Sequence, residues 1–304
     1  MERRKFIRQS GLGTLSALGL GSMNILNAKA GSEHSPLPEL PGADAVRIAV
    51  VQQEGNPGKV EENREKALGF ARQALEKNAD AILFHEEMLV GYVENLKELA
   101  EEANGPTTKA FMDLLKGSEA KVIYGLTERH GDDCYISAPI VSANGLVDNY
   151  RKTHLWWRAE GLRHEPAFYK AGNRLVTFDV KGHKCGIMIC YDGDFMEMTR
   201  SYANMGCNIL FWMNNRRSRG NKEVRNLAWR NSMIMPTTCC CGLNERAQLC
   251  EGGSNITGPE GEVMGEIWDK EGLVIADVYP GKVPELRKNN PHFTGHRGDL
   301  YYYG

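Results

Sequence analysis

The sequence predicts a mixed α/β domain, and three observations lead there. Val46–Gln52 is a continuous apolar run of the kind found in strands covered on both faces. It is followed by a helix-spaced stretch and then by a second apolar run, Ala81–Phe84, and strand–helix–strand order implies layers of helix against sheet. Asn144-Gly145 is a strong turn signal between two strand-like runs, so antiparallel hairpins are mixed in.

The elements follow in order. Residues 31–45 are rich in Ser, Pro and Gly and read as a linker. From Pro57 to about Asn78 a helix is predicted, because Val60, Ala67, Leu68, Ala71, Ala74 and Leu75 fall on one face. Thr107–Leu115 reads as the next helix. Lys121–Thr127 and Tyr135–Ser142 read as strands, and the Asn144-Gly145 turn leads into a strand Leu146–Arg151. Beyond an irregular stretch, Arg174–Val180 and Lys184–Cys190 form a strand pair joined through Gly182. Then come a helix Glu197–Asn204, a strand Asn208–Trp212, a helix Lys222–Met233 and a strand Thr237–Gly242. Val263–Ile267 and Leu273–Val278 close the sheet.

With 304 residues, 41% hydrophobic and 25% charged, residues 46–304 suit one large domain with a sizeable core. Residues 1–30 read differently. Arg3-Arg4-Lys5-Phe6-Ile7 is a twin-arginine pattern, a Gly-rich apolar run follows, and Ala28-Lys29-Ala30 offers a cleavage site. The expectation is a signal peptide cut after Ala30 and an exported, periplasmic protein. Removing it takes away five basic residues and one acidic one, leaving 32 against 38 and a net charge of −6. An acidic body argues against nucleic acid as a partner. Nothing after residue 30 is apolar for long enough to cross a membrane, so no stable anchor is expected after processing.

The eight cysteines suggest a disulfide framework less than a set of buried thiols. Cys134, Cys185, Cys207 and Cys239-Cys240-Cys241 lie in or beside strand-like runs, and a chain of this length needs no staples. A metal site is not expected. No C-x-x-C occurs, and His292 and His296 stand in a Pro- and Gly-bearing tail that reads as loop. Gly11-Leu12-Gly13 lacks the context of a dinucleotide loop, and no cofactor is expected.

Chemistry concentrates where strand-like runs end. Cys190 stands where Gly186-Ile187-Met188-Ile189 gives way to Tyr191-Asp192-Gly193. Alone it is more often a buried core cysteine than a nucleophile, although the polar turn after it makes a poor core. Cys185, five residues earlier, is expected on the opposite face. Ile82-Leu83-Phe84-His85-Glu86 ends in a carboxylate and Asn149-Tyr150-Arg151-Lys152 in an amine. Either can be a salt-bridge partner, but a carboxylate at the end of a buried strand needs one. Glu87 adjoins Glu86, so one of the two is expected inward and one outward. Trp156 and Trp157 are open between core and pocket wall. Arg216 and Arg217 lie in the run Asn214–Arg219. This is either a solvated basic turn or a site where a forked guanidinium reads a substrate carboxylate.

At these residues the chain resembles the nitrilase superfamily of carbon–nitrogen hydrolases. The family's F-P-E followed by G-Y stands here as Phe84-His85-Glu86 and Gly91-Tyr92, with His85 in place of the usual proline. Its Y-R-K-x-H-L stands as Tyr150-Arg151-Lys152-Thr153-His154-Leu155. Its I-C-Y-D followed by F-x-E stands as Ile189-Cys190-Tyr191-Asp192 and Phe195-Met196-Glu197. A further family glutamate, ahead of F-x-x-G, matches Glu165, with Tyr169 as the aromatic three residues before Gly172. Glu160 is the rival. The resemblance runs from about Val46 to the end and implies a four-layer α-β-β-α sandwich and a homodimer or higher homo-oligomer. It also implies a Glu86–Lys152–Cys190 triad. In it Glu86 takes the thiol proton, Lys152 and the Tyr191 N–H stabilise the oxyanion, and Glu165 orients Lys152 or water. The reaction implied is hydrolysis of a small linear amide or carbamoyl compound through a thioester. Cys-Tyr-Asp is nearer the amidase and carbamoylase branches than the nitrilases, which favour Cys-Trp-Glu. Nitrile hydrolysis on the same triad and a catalytically silent binding protein are the alternatives.

Overall fold

The computed structural model describes residues 45–216 and 221–300. The expected signal peptide 1–30 and all but the last residue of the expected linker 31–45 lie outside the described residues. The core is two seven-stranded sheets. In the first, Val46–Gln52, Ala81–Leu83 and Lys121–Ile123 run parallel side by side. Gly272–Val278 returns from the C-terminal side to pair antiparallel with Val46–Gln52, with Val274 opposite Val50. Asp133–Ser142, Gly145–Arg151 and Leu126–His130 extend the other edge as antiparallel hairpins. In the second sheet, His183–Ile189, Ile209–Met213 and Met235–Thr238 run parallel. Thr177–Val180, Leu249–Thr257, Cys241–Leu243 and Val263–Trp268 complete it antiparallel.

The two sheets stack face to face, Val46–Gln52 lying over Met235–Thr238 and Leu249–Thr257. Helices Val60–Glu76 and Pro106–Leu114 cover the first sheet, and Met196–Asn204 and Asn221–Asn231 cover the second. This is the α-β-β-α sandwich. On Val60–Glu76 the fully buried residues include Ala67, Ala71 and Ala74, and side chains this small let the helix lie close against the sheet. The central strands are apolar on both faces: Ile48, Val50, Ile82, Leu83, Ile187 and Leu210 are fully buried, each contributing about 1.5–3 kcal/mol. All eight cysteines are buried, and none is in a disulfide.

The structure departs from the sequence reading in a few places, each with a physical cause. The expected strand Lys121–Thr127 is two strands broken at Tyr124-Gly125. A Cβ on Gly125 would lie 2.2 Å from the His85 carbonyl oxygen and 2.5 Å from the Glu87 nitrogen, so the strand opens there to admit another segment's backbone. Thr237–Gly242 is likewise two strands, interrupted at Cys239-Cys240. The nine-residue strand Leu249–Thr257 was not expected, because Gly252-Gly253-Ser254-Asn255 carries no strand signal. Both glycines have positive φ, and the Gln52 side chain occupies the space above Gly252. The tail expected as loop contains helices Val283–Asn289 and Pro291–Thr294, with His292 of the latter packed edge-on against Trp229.

Candidate active site

Three segments converge where the sheets meet. The first sheet's Ala81–Leu83 ends early, and Glu86 sits three residues beyond it in a turn that fills the break at Gly125. Lys152 follows Gly145–Arg151 directly. From the second sheet, His183–Ile189 stops one residue short of Cys190, which opens a 3₁₀ turn, Cys190–Asp194. Cys190 has φ of 47°, a left-handed conformation that a side-chain-bearing residue adopts at a cost of about 1–3 kcal/mol. Two features hold it there. The indole of Trp212 lies where a Cβ on Gly193 would be, only 2.0 Å from that position, and its Nε1–H donates to the Cys190 carbonyl at 3.1 Å. Strand-to-turn strain of this sort presents a nucleophile at the end of a strand.

Lys152 is fully buried and donates to Glu86 Oε1 and to Glu165 Oε1, both at 2.7 Å. Burial alone would lower the ammonium's pKa, but Glu86 and Glu165 outweigh it and hold it raised. Glu165 is fixed in turn by the Tyr92 hydroxyl at 2.9 Å and the Trp156 N–H at 2.6 Å. The second oxygen of Glu86 accepts from the Asn215 N–H at 2.9 Å, and the Asn215 side chain donates to the Glu86 carbonyl at 3.3 Å. Every charge in this buried group has an opposite partner and further hydrogen bonds, as burial requires.

Cys190 is 9% exposed. Burial pushes its thiol up, and Glu86 adds to that; Arg216 and Lys152 pull the other way. Its sulfur accepts a hydrogen bond from Arg216 Nε at 3.3 Å, while Arg216 also donates to Asp194 at 3.0 Å. Tyr191 is the second residue of the 3₁₀ turn, where backbone N–H groups have no partner within the turn.

The structure therefore brings Glu86, Lys152, Glu165, Cys190, Tyr191 and Arg216 together. Glu160 is exposed and away from Lys152, so Glu165 is the glutamate at the site. Of the two tryptophans, half-buried Trp156 packs edge-on against Tyr191 with centroids 4.9 Å apart, whereas Trp157 is 54% exposed under Arg158. Arg217 lies outside the described residues. Cys185 is buried within the second sheet and donates to the His183 carbonyl, well outside this cluster. Glu87 does not point outward. It is buried with positive φ and accepts a hydrogen bond from Thr127. Burial, with Glu86 and Glu165 nearby, pushes it up to about 8. Asn215 went unread in the sequence, because its contribution is made largely through the backbone. Asp192 was read as part of a polar turn and of the I-C-Y-D motif, with no role of its own, yet it is fully buried with donors on both oxygens.

Comparison with known proteins gives the family. The carbon-nitrogen hydrolase family model matches residues 47–288. The chain is 30% identical over 261 residues to the 2-oxoglutaramate amidase of Bacillus subtilis, covering 84% of this chain and 98% of that one. It is 26% identical to the human omega-amidase NIT2 over 266 residues, 84% and 96% of the two chains. Among solved structures, an amidase of the nitrilase superfamily from Nesterenkonia, determined as a mutant, superposes with a TM-score of 0.73. The identity is 19%, over 86% of this chain and 97% of that one. A CN-hydrolase superfamily protein from Xanthomonas campestris gives 0.76 at 20% identity, over 86% and 99%. The chain belongs to the carbon–nitrogen hydrolase family, in which its relatives include proteins named as amidases.

Proposed function

We propose that the chain hydrolyses small linear amides bearing a carboxylate, with Cys190 as nucleophile. The observation that carries this reading is the fully buried Lys152 ammonium, clamped between two carboxylates beside a strained cysteine turn. A structural ion pair needs neither the second carboxylate nor the strained thiol. Glu86 takes the thiol proton as the sulfur attacks the amide carbon. The oxyanion is met by the Tyr191 N–H and by the third N–H of Lys152, the other two being held by Glu86 and Glu165. Glu86 returns the proton to the leaving nitrogen, ammonia departs, and a thioester remains on Cys190. Glu86 then deprotonates water, which attacks the thioester carbon and frees the acid. Glu165 keeps Lys152 in place through both steps.

The carboxylate preference rests on Arg216, whose guanidinium already lies at the nucleophile, and is supported by the names of the two amidase relatives. We further propose export of the chain by the signal read in residues 1–30, with assembly into a homo-oligomer. The test is ammonia release from succinamate, ureidopropionate, propionamide and propionitrile by wild type and Cys190→Ala. Turnover of amides that vanishes in a folded Cys190→Ala protein is the expected result. Turnover that survives the substitution rejects Cys190 as nucleophile, and a nitrile preferred to every amide rejects the substrate class.

A further inference from the structure

The reacting groups come from different sheets. Glu86 and Lys152 follow strands of the first, and Cys190 follows a strand of the second. The hydrophobic drive between the faces is non-directional, and interdigitated side chains set the sheets' placement only to the tolerance of their packing. A nucleophile and its oxyanion donor need placement to about 0.5 Å. Directional bonds across the interface tighten it.

Asn215 ties the second sheet to Glu86, and Asp192 is placed to tie it to the segment that carries Lys152. Fully buried, it collects five donors. On Oδ2 it accepts from the Ile189 N–H at 2.9 Å and the Tyr150 hydroxyl at 2.7 Å. On Oδ1 it accepts from the His154 N–H at 2.9 Å, from the Thr153 hydroxyl at 3.0 Å and, in the tautomer protonated at Nδ1, from His154 Nδ1 at 2.9 Å. Ile189 immediately precedes Cys190. Tyr150, Thr153 and His154 bracket Lys152. Closing the 3₁₀ turn would require the Ile189 bond alone; the other four donors all belong to the segment that carries the lysine.

We propose that Asp192 is a positioning residue for the hydrolysis, fixing the separation of Cys190 and Lys152 across the sheet interface. The proposal rests on Cys190 being the nucleophile. Asp192→Asn divides the clasp while keeping its shape. Whichever way the amide is turned, its NH₂ group meets a backbone N–H, that of Ile189 or that of His154, so one of the two segments loses its tether.

The test compares wild type, Asp192→Asn, Thr153→Val and Tyr150→Phe by two readouts. One is the pH dependence of iodoacetamide alkylation at Cys190, with the adduct located by mass. The other is the kinetics of succinamate hydrolysis. A misplacement near 1 Å costs on the order of a hundredfold, so kcat of Asp192→Asn is expected to fall by about that factor while KM stays within a few-fold. The alkylation midpoint should move to higher pH as the ammonium draws away from the sulfur. Thr153→Val and Tyr150→Phe, each removing one donor, should show the same changes at smaller size. Folded Asp192→Asn with kcat and alkylation profile within twofold of wild type overturns the proposal. Should Asp192→Asn fail to fold, wild-type behaviour in both single-donor variants overturns it equally. An adduct on another cysteine in the wild type removes the nucleophile assignment itself, a failure recognised by the adduct's position.

Discussion

Glu87→Gln should make the protein's stability less dependent on pH, in a direction the geometry fixes. Glu87 lies behind the site, fully buried against Thr127, and burial raises it from the usual 4.5 to about 8. The unfolded chain releases this proton near pH 4.5, whereas the folded chain keeps it until about pH 8. Stability is therefore fully present below pH 4.5 and falls through the interval up to about pH 8, where the loss is complete. At 1.36 kcal/mol per pH unit the loss reaches about 3 kcal/mol by pH 7 and at most about 5 kcal/mol by pH 8. Glutamine is neutral throughout, and its carbonyl can still accept from Thr127. All other titrating groups are common to both proteins and cancel in the difference. Urea unfolding of wild type and Glu87→Gln at pH 5, 6, 7 and 8 should show the variant gaining on wild type at each step. For a domain of this size the gap opening by pH 7 amounts to about 6–12 °C in Tm. Parallel stability curves across the interval, or a variant that falls faster than wild type, would refute a neutral buried carboxyl at this position.

Three further expectations concern the site. Lys152→Met should abolish turnover and also destabilise the fold by about 3–5 kcal/mol in urea, because it leaves Glu86 and Glu165 buried without a counter-charge; a fully stable variant would contradict the buried ion-pair reading. Gly125→Ala, remote in sequence, should cost on the order of a hundredfold in ammonia release, because the added Cβ displaces the turn carrying Glu86; wild-type rates would show that the turn yields without consequence. Arg216→Ala should lower the ratio of kcat/KM on succinamate to that on propionamide by about tenfold to a hundredfold, and an unchanged ratio would remove Arg216 from substrate recognition.

How much of this could be read from the sequence depends on where each signal is stored. Glu86 and Cys190 stood out because each follows an apolar run and Lys152 because it ends a strand-like run, and three such groups in the family's order have few structural uses. The helices around the sheets were legible from their apolar stripe, as Ala67, Ala71 and Ala74 show. Leu249–Thr257 was hidden because Gly252 and Gly253 both take positive φ, and Gly252 leaves room for the Gln52 side chain in place of a strand's usual side chain. The break at Gly125 was hidden for a related reason, since the segment that fills it is forty residues upstream. The inward turn of Glu87 escaped because alternation holds only along an extended strand, and the chain leaves that conformation after Leu83.

At the centre of the site the signal is likewise stored in residues far apart in the chain. Period and run length report which face of an element is buried, not which residues of a second sheet lie opposite. The bonds from Asn215 to Glu86 and from the Lys152 segment to Asp192 all cross between sheets, over sequence separations of 129 and about 40 residues. They involve a backbone N–H, a tyrosine hydroxyl and a threonine hydroxyl, groups present in every protein and informative only in place. The reactive residues are thus written in the sequence as local punctuation. Their mutual placement is set by polar contacts that appear only once the sheets are stacked, so substitutions at Asp192 and Asn215 test the site as directly as substitutions of the reactive groups themselves.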